Sequence, residues 1–393
     1  MLGLVVLFVG VMVSIAVHEF GHLAAAKRSG ARVSEFMVGF GPRLLSFKRG
    51  DTRYGLKLLP FGGYVRILGM HAPGRGFDRA ETDEEQVIPG TDFWRLGTFR
   101  RSATLLAGVT ANFLLAAVLL LVVLVGLGLP SATSTVSTVS PCVSVAACAP
   151  GDDPSPAATA GLSAGDTLLA IDGATAGSWD GLLGLLAAHH PGDRVVLTVE
   201  REGSRRELPV VLAEHPAAPG RAYLGITPSI TFAADSASRV GPLLWTQTRL
   251  VATTVVGFPA RVLSAFSSTL TGTERDPAGA VSLVGAGRLG AEIGGGDAPL
   301  RARLGQLFVM LAGLNVSLAV FNLVPLVPLD GGHVAVVWFE GLRARFARLR
   351  RRPDPGPIDY RRLMPLTQLV VVFFITASLL LVFADIANPL PAP

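Results

Sequence analysis

The chain has 393 residues, half of them hydrophobic and only 16% charged, well below the roughly 25% of an average soluble domain. Its net charge is a modest +5. Length alone suggests two or three soluble domains, but the apolar residues gather in runs, which excludes that reading and points to a multi-pass membrane protein.

The first run, 1–26, is long enough to cross a hydrocarbon core, which takes ~20 residues. It has no basic leading segment and no small-residue cleavage pattern, and it ends in VHEFGH, so it reads as a span rather than a signal peptide. Residues 27–101 follow as a cytoplasmic segment in which short β-type stretches (EFMVGF, RLLSFK, YGLKLLP, YVRIL) alternate with Gly, Pro and Gly-Asp turns. They are too apolar for an ordinary loop and too broken for a helix. We expect strands or a re-entrant hairpin packed on protein or lining a cavity. A second span is expected over 102–129.

Residues 130–232 open with a stretch rich in Ser, Thr, Pro and Ala, which reads as a linker through 157. A compact unit follows: a strand in GLSAGDTLLAIDG, a helix that Ser178 can cap, a hairpin in RVVLTVEREGSRRELPVVL and a closing YLGI strand. Cys142 and Cys148 lie ahead of it, with pairing and free thiols both open. Residues 233–304 read as amphipathic helices lying on the membrane face, with extra spans as the competing reading. The third span is expected over 305–338, a basic loop over 339–363, and a fourth span with a tail over 364–393.

Charge sets the expected orientation. Lys and Arg number 14 in 27–101 and 8 in 341–362, whereas 130–304 carries 12 against 15 acids. The positive-inside rule then puts 27–101 and 341–362 in the cytoplasm and both termini outside. The run RARFARLRRR is accordingly a topology anchor near anionic lipid and not a nucleic-acid-binding arm.

His18 and His22 are four residues apart, on one face of a helix, so both imidazoles can reach one metal ion. Glu19 is placed to touch a metal-bound water without being a ligand. Two imidazoles and one carboxylate suit zinc, with the fourth position open to water. Without such a use, each ionisable group would cost about 2.5–3.5 kcal/mol in a span. The bland alternative makes them interior hydrogen-bonders and an interfacial anchor. The third ligand is best sought in LAVFNLVPLVPLDGGHVAVVWF, where Asp330 is the only acid between Asp297 and Glu340. Pro325, Pro328 and Gly331-Gly332 break the helix beside it. A helix-capping Asp330 is the competing role, and His333 is a weaker candidate ligand.

HEFGH, the GFGP and LPFGGYV stretches, AGVTANF, the inserted PDZ-like unit and N-x-x-P-x-x-P-L-D-G-G-H together resemble the site-2 protease family of intramembrane zinc metalloproteases. The resemblance spans nearly the whole chain and is nearest the bacterial regulator-of-sigma branch, with an actinobacterial-looking tail. The unit with A-G-L-x-x-G-D-x-L-L-x-I-D-G is similar to a bacterial PDZ domain, single here where some branch members have two.

The resemblance implies four spans, a membrane-associated β-hairpin and an extracytoplasmic PDZ-like domain. It also implies Zn2+ on His18, His22 and Asp330, Glu19 as general base, and Asn322 holding the substrate backbone. The implied substrates are single-span membrane proteins, such as anti-sigma factors or remnant signal peptides, cut after an earlier ectodomain cleavage. The implied partners are those substrates, a peptide C-terminus at the PDZ-like unit, and the bilayer. The competing functions are a catalytically silent PDZ scaffold and a metal transporter. Intact His18, Glu19, His22 and Asp330 argue against the scaffold, and the lack of internal repeats argues against the transporter.

Overall fold

A computed structural model of the chain describes residues 2–72, 92–144, 148–149, 151–273, 275, 279–296 and 298–388. Residues 73–91, part of the expected cytoplasmic segment 27–101, lie outside the described residues. The chain divides into two compact units, one of 1–127 with 235–393 and one of 128–234.

In the larger unit, α1 (Leu2–Arg28) leads into β1 (Val33–Arg49), β2 (Thr52–Ile67) and α2 (Thr98–Leu121), the last extended by a π-type turn to Leu127. Among the described residues, four helices are long and apolar enough to cross a membrane: Leu2–Arg28, Thr98–Leu127, Leu300–Asn322 and Tyr360–Ala387. The fold is therefore that of a multi-pass α-helical membrane protein.

β1 and β2 fold back on themselves. Residues 43–49 pair with 52–57, and residues 35–38 pair both with 53–56 and with 63–66. The corner falls at Gly39 and Gly41, whose φ values of 89° and 83° suit glycine. Residues 63–67 thus form an outer edge with no further strand partner among the described residues.

The smaller unit holds β3 (Leu129–Val139), α3 (Pro156–Thr159), β4 (Thr167–Ile171), β5 (Ala174–Thr175), α4 (Trp179–Leu186), β6 (Arg194–Arg201), β7 (Ser204–Val211), β8 (Ala213–His215), β9 (Ala218–Tyr223) and β10 (Ile226–Ala233). Its sheet runs β10-β3-β4-β6-β7, with β5 on β4 and a separate β8-β9 ribbon. Alternation in β6 sends Val195, Leu197 and Val199 inward, where they meet Leu168, Ile171, Leu182 and Val210 in one core. Ser178 caps α4 by accepting the Gly181 N–H at 3.1 Å. This is a PDZ-like α/β unit.

The linker reading of 131–157 needs correction. Residues 129–139 are β3, a strand paired with β10 and β4, with Val136 buried. Its Thr- and Val-rich sequence satisfies its backbone groups within a sheet, and that outweighs a composition typical of loops. Cys142 and Cys148 form a disulfide.

Asp166 is held by Arg201, whose Nε and Nη2 each donate to a carboxylate oxygen at 2.6 Å, and by the Ser163 N–H. These bonds, the Arg201 pair foremost, hold its carboxyl below the usual range near 3.8. A group whose pKa falls on folding stabilises the fold above its unfolded value and loses that contribution as pH drops through its folded one. We expect the urea midpoint of a separately expressed 128–234 unit to fall on acidification below about pH 4, with a flatter profile in Asp166→Asn. Parallel profiles would disprove this.

In the larger unit α5 (Val240–Val256), α6 (Phe258–Thr271) and α7 (Leu283–Gly295) follow, then α8 (Leu300–Asn322), α9 (Asp330–Leu349) and α10 (Met364–Ala387). α5 packs on α8, α6 on α10 and α7 on α1, so these three helices cover the spans. α5 and α6 meet at 73° and together satisfy the length and apolarity of one broken span.

The third span also needs correction. Its helix ends at Asn322 rather than 338, and Asp330 opens a new helix that runs through the first part of the expected loop 339–363. Pro325 and Pro328 lack the N–H that would continue the ladder, and the Val327–Pro328 peptide is cis. The turn packs so closely that a methyl group on Gly331 or Gly332 would overlap Leu323 O or Val327 N. α9 is braced to α2 by a buried Arg101–Glu340 pair at 2.7 Å, and Glu340 also accepts the Ile358 N–H.

A candidate metal centre

α1 and α2 run antiparallel at very close range. A methyl group at Gly21 would overlap the Ala107 carbonyl, and one at Gly108 would overlap His22 Nε2. Glycine at these two positions lets the imidazole of His22 fit between the helices. Its Nδ1 lies 2.9 Å from the Thr104 carbonyl oxygen, which can only accept. That bond fixes the proton on Nδ1 and leaves the Nε2 lone pair pointing into the site.

Asp330, at the first position of α9, reaches the same point. The residue before it makes no side-chain cap bond, and the Asp330 carboxylate points at the histidines. Its Oδ2 lies 3.3 Å from His18 Nε2 and 3.3 Å from His22 Nε2, and the two Nε2 atoms are 3.2 Å apart. His18, His22 and Asp330 are the metal-capable cluster found among the described residues. Bonds of 2.0–2.2 Å to a tetrahedral ion imply donor separations of about 3.3–3.6 Å. The triangle has that size. Two imidazole nitrogens turned toward each other and toward one carboxylate oxygen suit a shared cation.

A cleft of about 480 Å³ opens on this triangle. Its walls include Glu19, Gly62, Gly63, Tyr64, Asn322 and Pro328. Glu19 lies beside the donors without joining them, and a methyl group on Gly63 would stand 3.0 Å from its Cγ. Gly63, at the start of the free edge 63–67, therefore lies against Glu19. Asn322, the last residue of α8, lines the same cleft. His333 lines it too but stays outside the donor cluster, its ring stacked 5.6 Å from that of Tyr360.

All six residues singled out from the sequence, His333 included, therefore border one cleft, and three of them converge. Sequence reasoning missed the Thr104 carbonyl, which as a backbone group leaves no mark on the sequence. It also passed over Gly108, whose only signal was its place inside AGVTANF. Because that glycine makes room for the His22 ring, Gly108→Val should displace it and lower the zinc content of the purified protein at least tenfold. Full zinc occupancy in that variant, by atomic absorption, would show that the close contact is not needed.

Comparison with known proteins places this geometry in context. The family described as Peptidase family M50 matches residues 6–352. The zinc metalloprotease Rip1 of Mycobacterium tuberculosis (strain H37Rv) is 31% identical over 420 residues, covering 99% of this chain and 98% of the relative. Rip1 of Mycolicibacterium smegmatis is 30% identical over 414 residues, with the same coverage. The chloroplastic membrane metalloprotease ARASP of Arabidopsis thaliana is 29% identical over 338 residues, covering 84% of this chain and 68% of that protein.

Proposed function

This chain belongs to peptidase family M50, the zinc metalloproteases, and from that premise we propose that it cuts single-span membrane proteins within the bilayer. The observation that carries this reading is the convergence of His18, His22 and Asp330 beside Glu19, in a cleft walled by a free strand edge.

His18, His22 and Asp330 would hold the zinc. When bound, it lowers the pKa of a water toward ~7 and polarises the scissile carbonyl. Glu19 takes a proton from the attacking water and delivers it to the departing amine nitrogen as the C–N bond breaks. A helical substrate hides each carbonyl in its own ladder, so one turn must unwind and find new partners. The edge at 63–67 offers them by strand addition, and Asn322 holds the opened backbone from the opposite wall. The distribution of Lys and Arg supports an orientation with HEFGH toward the cytoplasm and both termini outside.

Anti-sigma factors and remnant signal peptides, already shortened by an ectodomain cut, are the proposed substrates. In the PDZ-like unit, α4 and residues 220–226 border a groove of about 470 Å³, lined by Trp179, Leu182, Leu186, Arg221 and Leu224. An extended peptide with a free C-terminus suits it, its carboxylate attracted by Arg221.

The full chain reconstituted in lipid should cut single-span substrates with short ectodomains, leave long-ectodomain versions intact, and stop when a chelator removes zinc. Equal cleavage of short and long forms would refute the requirement for a prior cut. Chelator-resistant cleavage would refute the zinc mechanism.

A further inference from the structure

The two histidines of the triangle are not supported alike. The Nδ1 of His22 faces the Thr104 carbonyl, but the Nδ1 of His18 is buried with no hydrogen-bond partner. One helix away, the Asn112 side chain is fully buried, and both its Oδ1 and its Nδ2 also lack partners. A buried amide without partners is costly to keep, and such a cost points to a use.

The helix register puts these groups at one level. Thr104, Gly108 and Asn112 follow at intervals of four along one face of α2. Gly108 abuts the ring of His22, and the helices run antiparallel, so one turn back along α1 corresponds to one turn forward along α2. That step leads from His22 to His18 and from Gly108 to Asn112. The next turn of α1 brings Ser14, which accepts from Asn315 Nδ2 of α8 at 2.8 Å, while Asn315 Oδ1 is itself buried and unpartnered. Buried polar atoms without partners thus lie on three helices, at the level of His18 or one turn from it.

We propose that Asn112 is a positioning residue for His18, accepting its Nδ1–H through one bridging water that Asn315 Oδ1 also binds. Such a site supplies the two to four polar partners that a buried water requires. Asn112 does for His18 what the Thr104 carbonyl does for His22: it fixes the tautomer and ring angle that aim Nε2 at the metal. The inference rests on the reading that His18, His22 and Asp330 hold zinc.

The test uses the full-length protein in detergent, with zinc affinity measured by chelator competition and melting measured on the zinc-free form. Asn112→Leu should weaken zinc binding about 10- to 100-fold, as loss of such a support typically does. Its zinc-free form should still melt cooperatively with native far-ultraviolet circular dichroism, so that what is lost is metal affinity and not the fold. Asn112→Asp, which still accepts the Nδ1–H, should bind zinc within about threefold of the native protein. Affinity in Asn112→Leu within twofold of native overturns the proposal. So does an Asn112→Asp affinity as weak as that of Asn112→Leu, which would mark a packing role. His18→Ala is the control for the underlying reading: undiminished zinc binding there removes the metal centre, and this inference with it.

Discussion

A Glu19→Gln chain is expected to keep its zinc and lose its peptidase activity by about 10²- to 10⁴-fold, the range that general acid–base catalysis supplies. The substitution conserves size, and Glu19 stands outside the donor triangle, so the metal should still bind. What disappears is, among the described residues, the only acidic side chain lining the cleft besides Asp330. A carboxamide accepts no proton at neutral pH, so the attacking water is not deprotonated and the leaving amine is not protonated. Single-turnover cleavage of a single-span substrate beside a zinc assay separates the two properties. Cleavage within threefold of the native rate would remove Glu19 from the chemistry. Equal peptide capture by both forms, with no cleavage by either, would favour a silent scaffold.

Asp330→Ala should be equally inactive for a different reason: the zinc itself should be lost. The variant retains two imidazoles, and removing a direct ligand should cost more than the 10- to 100-fold typical of groups one shell further out. The helix that begins at Asp330 should survive. It makes no use of the carboxylate as a cap, and the Arg101–Glu340 pair holds it to α2. Unchanged far-ultraviolet circular dichroism with lost zinc is the expected pair of results. Retained zinc would return Asp330 to a structural role, and loss of zinc in His333→Ala would identify a ligand the donor triangle does not contain.

Much of this site was legible because its chemistry is rare in an apolar setting. Histidines four apart in a span, and one acid in a Pro- and Gly-broken run, have few structural explanations. The helix termini near Asp330 were less legible. Prolines show that a ladder breaks but not on which side the new helix starts, and the overlaps that force the turn at Gly331 and Gly332 exist only in three dimensions. β3 was hidden for another reason. Ser, Thr and Pro are common in linkers, and only pairing with β10 and β4, distant in sequence, reveals 129–139 as a strand. The Thr104 carbonyl and the orphaned Asn112 share that character, since both depend on which helix lies opposite.

The order of the donors along the chain has a consequence for biosynthesis. His18 and His22 leave the ribosome early, and Asp330 follows roughly 310 residues later. At synthesis rates of about 5–20 residues per second, that interval lasts roughly 15–60 s. Throughout it the nascent chain holds His18, Glu19 and His22 but not the carboxylate that completes the donor triangle. On the proposed zinc site, fragments truncated ahead of α9 should therefore be inert, and the protease stays disarmed until its own assembly is nearly finished.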